Sequence, residues 1–254
     1  MRVLKDISAL NSWRRNQEEM ALIPTMGALH AGHMGLVSKA QQAVDTVLVS
    51  IFVNPTQFNQ SSDLDSYPQD LQSDLTQLDE AGIAAVYVPD YEQLYPHGYR
   101  FKIAENELSK RFCGAHRPGH FEGVMTVVMK LLQLVRPEYV YFGEKDYQQL
   151  QLIKAMVKDF FMPTQVIACP TVRDKDGLAL SSRNQRLSDA ELNLAPMLYQ
   201  TLIDDGDLES KKSRLQSLGF QIDYLEVYDD RLMAAVYLGD VRLIDNVPVA
   251  GKFI

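Results

Sequence analysis

Short β-branched and aromatic runs at residues 21–23, 46–53, 83–88, 139–142 and 164–169 punctuate the earlier part of the chain. Each reads as a strand, because side chains branched at Cβ suit a pleated, half-buried surface. Between them the spacing changes. Leu36, Val37, Ala40 and Val44 recur at helical intervals, and Pro68 opens a helix carrying Leu71, Leu75 and Leu78. Residues 122–135 and 147–161 are longer helical runs, the first ended by Pro137. This alternation predicts a parallel sheet covered on both faces, an α/β, Rossmann-like doubly wound domain.

Beyond Asn184 the pattern turns. Ser188-Asp189-Ala190-Glu191 is a capping box, and Leu194, Met197, Leu198 and Leu202 continue the helix that it opens. A polar stretch around Lys211-Lys212 leads to strands at 222–227 and 233–244, with a turn at Gly239-Asp240. Helices followed by a small antiparallel pair predict a second, smaller α+β C-terminal lid domain. The expected division is residues 1–172 for the Rossmann-like domain and 173–254 for the lid.

Composition narrows the class. A chain of 254 residues with 46% hydrophobic content buries a sizeable core, as one large or two smaller domains. No apolar run is long enough for a membrane span, and the charged amphipathic start argues against a secretory leader. The net charge of −8, without a long basic tract, argues against a nucleic-acid partner. Cys113 and Cys169 are too few for a disulfide framework and point to a reducing, cytoplasmic setting.

Candidate chemistry begins where the strand at 21–23 ends, in Pro24-Thr25-Met26-Gly27-Ala28-Leu29-His30-Ala31-Gly32-His33. Gly27 and Gly32 permit a tight turn and close approach to a ligand. The helix start that follows is expected to present unpaired N–H groups and a positive dipole end to a phosphate. His30 and His33, three apart, share a helical face and can donate to one anion. Neither the G-x-G-x-x-G fingerprint nor a Walker loop is present. Taken alone, His30-Ala31-Gly32-His33 fits a nucleotide site about as well as it fits the alternatives, a metal pair or plain surface, together.

Two further turns follow strands. Gly143-Glu144-Lys145-Asp146 places a lysine at a strand's carboxyl end, where parallel sheets bind ligands. Leu180-Ser181-Ser182-Arg183, on a loop with Gly177, offers two hydroxyls and a guanidinium to a polyphosphate. Cys113, His116 and His120 have a spacing that zinc sites use, but no fourth ligand lies close and Arg117 would repel a cation. No structural zinc is expected there.

Six blocks carry a close resemblance to the pantothenate synthetase family, within the HxGH nucleotidylyltransferases. They are residues 24–33, Val53-Asn54-Pro55-Thr56-Gln57-Phe58, 63–68, 117–124, Gly143-Glu144-Lys145-Asp146-Tyr147-Gln148-Gln149-Leu150 and 180–184, in the family's order. The resemblance implies an AMP-forming ligase that makes an amide bond between pantoate and β-alanine through pantoyl adenylate, releasing pyrophosphate. It implies ATP as substrate, Mg2+ with ligands that no spacing marks, and a homodimer. It assigns ATP to Met26, Gly27, Ala28, Leu29, His30, Ala31, Gly32, His33, Gly143, Glu144, Lys145, Asp146, Val172, Leu180, Ser181, Ser182 and Arg183. Pantoate falls to Gln57 and Gln149, and β-alanine to Gln57, Arg117 and His120. Catalysis falls to His33 as proton donor with His30, Lys145, Ser181, Ser182 and Arg183.

Two departures stand out. Leu180 occupies a position where the family usually has methionine, a volume-conserving change. The second domain reads as shorter than the family norm, leaving the lid's dimensions open. Other readings are a nucleotidyl transferase for a phosphorylated acceptor and a non-catalytic nucleotide-binding module. Gln57 and Gln149 speak against the first, since a phosphate would favour more arginines or lysines. His30, His33, Lys145 and Arg183 together speak against the second.

Overall fold

A computed structural model describes residues 1–249. The chain forms two compact units. The first spans Met1–Glu144 and Gln148–Cys169; the second takes Lys145–Tyr147 and the described chain from Pro170 onward. Residues 250–254 of the expected lid lie outside the described residues.

Six strands build the first unit: β1 (Arg2–Leu4), β2 (Met20–Thr25), β3 (Thr46–Ile51), β4 (Ala85–Tyr87), β5 (Tyr139–Gly143) and β6 (Gln165–Cys169). They pair in the order β1-β4-β3-β2-β5-β6, every pair parallel. β1 escapes the sequence pattern because only Leu4 of its three residues is buried, so no apolar run marks it. Along β2, Ala21 and Ile23 pack on one face with Val37, Ala40, Val47 and Val49. The alternate residues Met20 and Leu22 are fully buried as well. A sheet covered on both faces follows from this near-continuous apolar strand.

β2 is the pivot of the sheet, pairing with β3 on one side and β5 on the other. Successive strands run outward from it in one direction before the chain returns to its other flank. Such a reversal of strand order opens a crevice at the strands' carboxyl ends. The amino ends are closed by Arg14, which donates to the carbonyls of Val135, Gln17 and Arg136, and by Glu138, which accepts from Met20 N–H at 2.8 Å. Helix Leu71–Glu80, N-capped by Asp70, packs Leu78 into the core beneath β2 and β3.

The second unit is a three-stranded antiparallel sheet, β7 (Gln221–Tyr228), β8 (Arg231–Leu238) and β9 (Val241–Pro248), with helices Asp189–Leu194, Met197–Ile203 and Leu208–Ser217. Its core joins Leu198, Leu202, Leu215 and Phe220 to Leu232, Val236 and Leu243. The Ser188–Glu191 capping box forms as expected. The helix it opens ends at Leu194, and a second begins beyond Pro196, so the single long helix expected here is two. Proline has no N–H to continue the ladder and its ring opposes the preceding turn. The polar stretch around Lys211 is a helix as well. Lys211 is buried, and its ammonium donates to the carbonyls of Thr201 and Asp204.

Candidate active site

The loop leaving β2 is built from the backbone outward. Gly27 (φ +78°) and Ala28 (φ +50°) both occupy the left-handed region, turning the chain sharply after the strand. Thr25 Oγ1 donates to Ser50 O on β3 at 2.8 Å and accepts Gly27 N–H at 3.2 Å. The next two donors, Ala28 and Leu29 N–H, go to the two oxygens of Asp74, at 2.9 and 2.7 Å. Asp74 sits in helix Leu71–Glu80 at 3% exposure. Burial pushes its carboxyl above the usual range, against the pull of those two N–H groups.

His30 then caps helix Ala31–Gln41 through a reciprocal box in which imidazoles replace the usual oxygens. His30 Nδ1 accepts Gly32 N–H at 3.1 Å, and His33 Nδ1 accepts His30 N–H at 3.4 Å. Both rings therefore carry their proton on Nε2 when neutral. Their centroids are 4.1 Å apart. This narrows the expectation of unpaired N–H groups at the helix start, because Gly32 N–H in its first turn is taken by the His30 ring. The N–H groups of Gly27, Ala28, Leu29, His30 and Gly32 all meet side-chain acceptors, so the imidazoles become the loop's polar equipment. It also corrects how the histidines meet: His30 stands outside the helix, and capping geometry rather than a shared helical face brings the rings together.

Beyond β3, the turn Pro55–Gln57 lies against helix His120–Val135. Gly123 permits this approach, because a Cβ there would come within 2.3 Å of Thr56 O. Asn54, 1% exposed, donates to Gln57 Oε1 at 3.1 Å and to Gly123 O at 3.2 Å. Its own oxygen accepts from Thr56 and Tyr95. The phenol of Tyr95 is pushed up to about 12 by burial, so it stays a donor. With its oxygen fixed by Asn54, Gln57 turns its Nε2 to within 3.0 Å of Met26 Sδ. The ends of β2 and β3 thus meet through these two side chains.

His120 Nδ1 lies 2.7 Å from Gln57 O. A carbonyl only accepts, so Nδ1 carries the proton and Nε2 faces Arg117 Nη1 at 3.3 Å as acceptor. Arg117 also lies 3.8 Å from Asp63. The structure brings Arg117 and His120 together behind Gln57. Gln149 is half-buried in the first turns of helix Tyr147–Asp159, just past β5. Gly143 ends β5 and Glu144 follows it.

The second unit holds the other candidates. Lys145 Nζ lies 3.7 Å from Asp146, and Asn246 of β9 donates to Lys145 O at 3.1 Å. Arg231 of β8 donates to Asn246 at 2.7 Å and stacks over Tyr147. Residues 172–180 double back on themselves: Leu180 N–H meets Val172 O, and Arg173 pairs with Ala179. Asp174 Oδ1 accepts from Asp176 and Leu178 N–H, both at 2.9 Å. Gly177 (φ +101°) completes the turn, where a Cβ would meet Tyr199 at 2.7 Å. Arg173 donates to Gly177 O and both oxygens of Asp245, over the ring of Tyr199. Ser181 accepts from Arg183 N–H as cap of the turn Ser182–Arg186, and Ser182 is buried.

Both cysteines are buried and neither is in a disulfide, and burial raises the thiol of Cys169. Among the described residues, no group of three histidines, cysteines or carboxylates is arranged to hold a metal, and no helix is long and apolar enough to cross a membrane. Asp74 escapes the motif reading altogether. Its one signal is a carboxylate among the apolar positions Leu71, Leu75 and Leu78. Asn54 lies inside a matched block, yet its hold on Gln57 is visible only in three dimensions.

A family model described as pantoate-beta-alanine ligase matches residues 2–248. The pantothenate synthetase of Bdellovibrio bacteriovorus is 47% identical over 248 residues, 97% of this chain and 99% of that protein. That of Pseudomonas savastanoi pv. phaseolicola is 46% identical in an alignment of 261 positions, gaps included, that covers 92% of each chain. Among solved structures, the pantoate-beta-alanine ligase of Francisella tularensis, complexed with beta-gamma ATP and beta-alanine, matches with a TM-score of 0.94. Identity there is 42%, over 98% of both chains. The Thermus thermophilus protein matches with a TM-score of 0.93 at 39% identity, over 98% of this chain and 99% of its own. A family model spanning nearly the whole chain, and relatives this similar along their full length, show that the chain belongs to the pantoate-beta-alanine ligase family.

Proposed function

We propose that this chain condenses (R)-pantoate with β-alanine at the expense of ATP, in two steps. A pantoate carboxylate oxygen attacks the α-phosphorus of ATP; the bond to the bridging oxygen breaks and pyrophosphate leaves. The β-alanine amine then attacks the acyl carbon of pantoyl adenylate, an amide bond forms, AMP leaves, and the amine gives up a proton. Activation is needed because an oxide-type leaving group is too poor for direct condensation in water.

The observation that carries the reading is the meeting of Gln57 with Met26 beside the imidazole-capped turn. A fixed amide both donates and accepts, which suits pantoate's hydroxyls and carboxylate. Imidazole Nε2–H groups suit phosphate oxygens that gain charge as pyrophosphate departs. On the first unit, ATP is assigned to Met26 through His33, Gly143 and Glu144; on the second, to Lys145, Asp146, Val172 and Leu180 through Arg183. His33 is the proton donor, with His30, Lys145, Ser181, Ser182 and Arg183 stabilising charge. Pantoate is assigned to Gln57 and Gln149. β-Alanine is assigned to Gln57, Arg117 and His120, the last of which also holds the Gln57 carbonyl.

The described residues form no metal cage. Magnesium enters this reading as the counterion of the substrate nucleotide, with phosphate oxygens and water as its ligands. The division at 172/173, a homodimer and a cytoplasmic setting complete the proposal, as does a covering role for the second domain, which would keep water from a hydrolysable mixed anhydride. The test is direct. Purified protein given ATP, magnesium and pantoate should release pyrophosphate, and pantothenate should form only when β-alanine is added. Turnover of a phosphorylated acceptor, with none of pantoate, would overturn the assignment.

A further inference from the structure

We propose that Asp74 is a positioning residue for the nucleotide: by holding Ala28 and Leu29 N–H, it sets the left-handed turn that aims His30 and His33. The inference rests on the assignment of the loop from Met26 to His33 to ATP. It stands on three observations.

The first is the pairing itself. Each Asp74 oxygen takes one of two successive N–H groups, and the carboxylate lies 45 and 46 positions away in sequence. Helix Leu71–Glu80 thus reaches into the loop at one point. The second is fit. A Cβ at Gly27 would lie 2.8 Å from Asp74 Oδ2 and 3.2 Å from Ile51, so the carboxylate fills the space any side chain at 27 would need. The turn's shape and the carboxylate's position define one another.

The third is strain. Ala28 holds φ +50°, a conformation that an L residue avoids unless its surroundings impose it. The bond from Ala28 N–H to Asp74 is the tie that imposes it here. An apolar residue at 74 would extend the stripe of Leu71, Leu75 and Leu78 and suit a buried position better. A carboxylate kept there, ionised against burial, acts on the loop rather than on the core. Asp74 touches neither imidazole in the bonds described, so its effect on ATP passes through the backbone.

The experiment compares full-length wild type, Asp74→Glu and Asp74→Asn. Asparagine keeps the shape but turns an NH2 toward one of the two N–H groups; glutamate keeps the charge and both acceptor oxygens. The expected result is a rise in the ATP Kd and in KM for ATP of about tenfold to a hundredfold for Asn, the loss of one hydrogen bond to a charged acceptor. The Glu variant should fall between Asn and wild type, while KM for β-alanine stays within about twofold in both. Long-range 15N–1H spectra of the His30 and His33 rings should show the Nε2–H tautomer in wild type and a mixture in Asn.

Unchanged ATP Kd and ring spectra in a folded Asn variant would overturn the proposal. So would equal rises in the KM of every substrate, the mark of a merely loosened fold. Should Asn fail to fold, the same split is read on Glu against wild type. If wild type itself binds no ATP, the nucleotide assignment fails, and the ring spectra still decide whether Asp74 sets the loop.

Discussion

The loop after β2 and the doubled-back segment at residues 172–183 hold their backbones by different reach. The first depends on acceptors from elsewhere in the chain: Thr25 is anchored on Ser50, and Ala28 and Leu29 are held by Asp74 from a separate helix. The second is mostly self-contained. Asp174, Ser181 and Asn184 bond groups two to five positions away, with long ties from Arg173 to Asp245 and from Gln200 to Asp176 O. A loop held from afar has its geometry set only once the core has assembled. A loop held by its neighbours carries its turn in its own sequence, as Asp-Lys-Asp-Gly does at 174–177.

The largest expected effect concerns Lys145. Its backbone is held by Asn246, so Lys145→Ala removes the ammonium without releasing the turn. Adenylate formation should fall by about two to four orders of magnitude, the range for one electrostatic or acid–base group. Single-turnover pyrophosphate release measures this, and an unchanged circular dichroism spectrum shows the fold retained. A near-normal rate would remove Lys145 from the first step.

Next comes the tie from Arg173 to Asp245 in the second unit. Asp245 has a side chain 2% exposed, and Asp245→Asn leaves Arg173 among buried groups without its counter-charge. The expected cost is about 3–5 kcal/mol, read as a lower denaturation midpoint of the second unit. A local tie should cost less. Asp174→Ala gives up two bonds on an exposed turn, for about 1 kcal/mol by the same measurement. If the two costs come out equal, the contrast between distant and local support fails.

The smallest effect is a matter of pH, and it separates two carboxylates doing similar work. Glu105 accepts Glu107 N–H at 2.8 Å and Ser109 N–H at 2.6 Å. Burial would raise its carboxyl, but the N–H groups outweigh burial and hold it below its ordinary 4.5. Its contribution is therefore present above that value and lost as pH falls through the depressed folded value. Asp74 runs the other way, because burial dominates and raises it above 3.8. Its titration favours the fold below 3.8, and that benefit is lost as pH rises through the raised value. Denaturant unfolding of wild type and Glu105→Gln at neutral and at acid pH should show a deficit that shrinks on acidification. A deficit independent of pH would remove Glu105 from the acid response.

Much of this architecture is legible without coordinates. The parallel strands are announced by apolar runs, the Ser188–Glu191 box by its own spacing, and the break at Pro196 by a residue that the longer helical reading passed over. β1 has no such mark. With Arg2 and Val3 exposed, it is a strand only because β4 offers an edge to pair with.

The site divides along the same line. The sequence by itself marked the candidate residues, since His30, His33, Gln57, Lys145 and Arg183 stand in blocks whose order and spacing are specific. It also determined the sharp turn, because Gly27 marks a position where a side chain does not fit. Only the tertiary structure decided what those residues do with their hydrogen bonds. The loop before the helix gives its N–H groups to Thr25, Asp74 and His33, the first-turn Gly32 N–H goes to His30, and Asn54 sets which end of Gln57 faces Met26. The reason is physical. Spacing along the chain fixes which local turns and faces are possible. A buried donor must find an acceptor wherever folding brings one, and for Ala28 and Leu29 that acceptor lies on another helix.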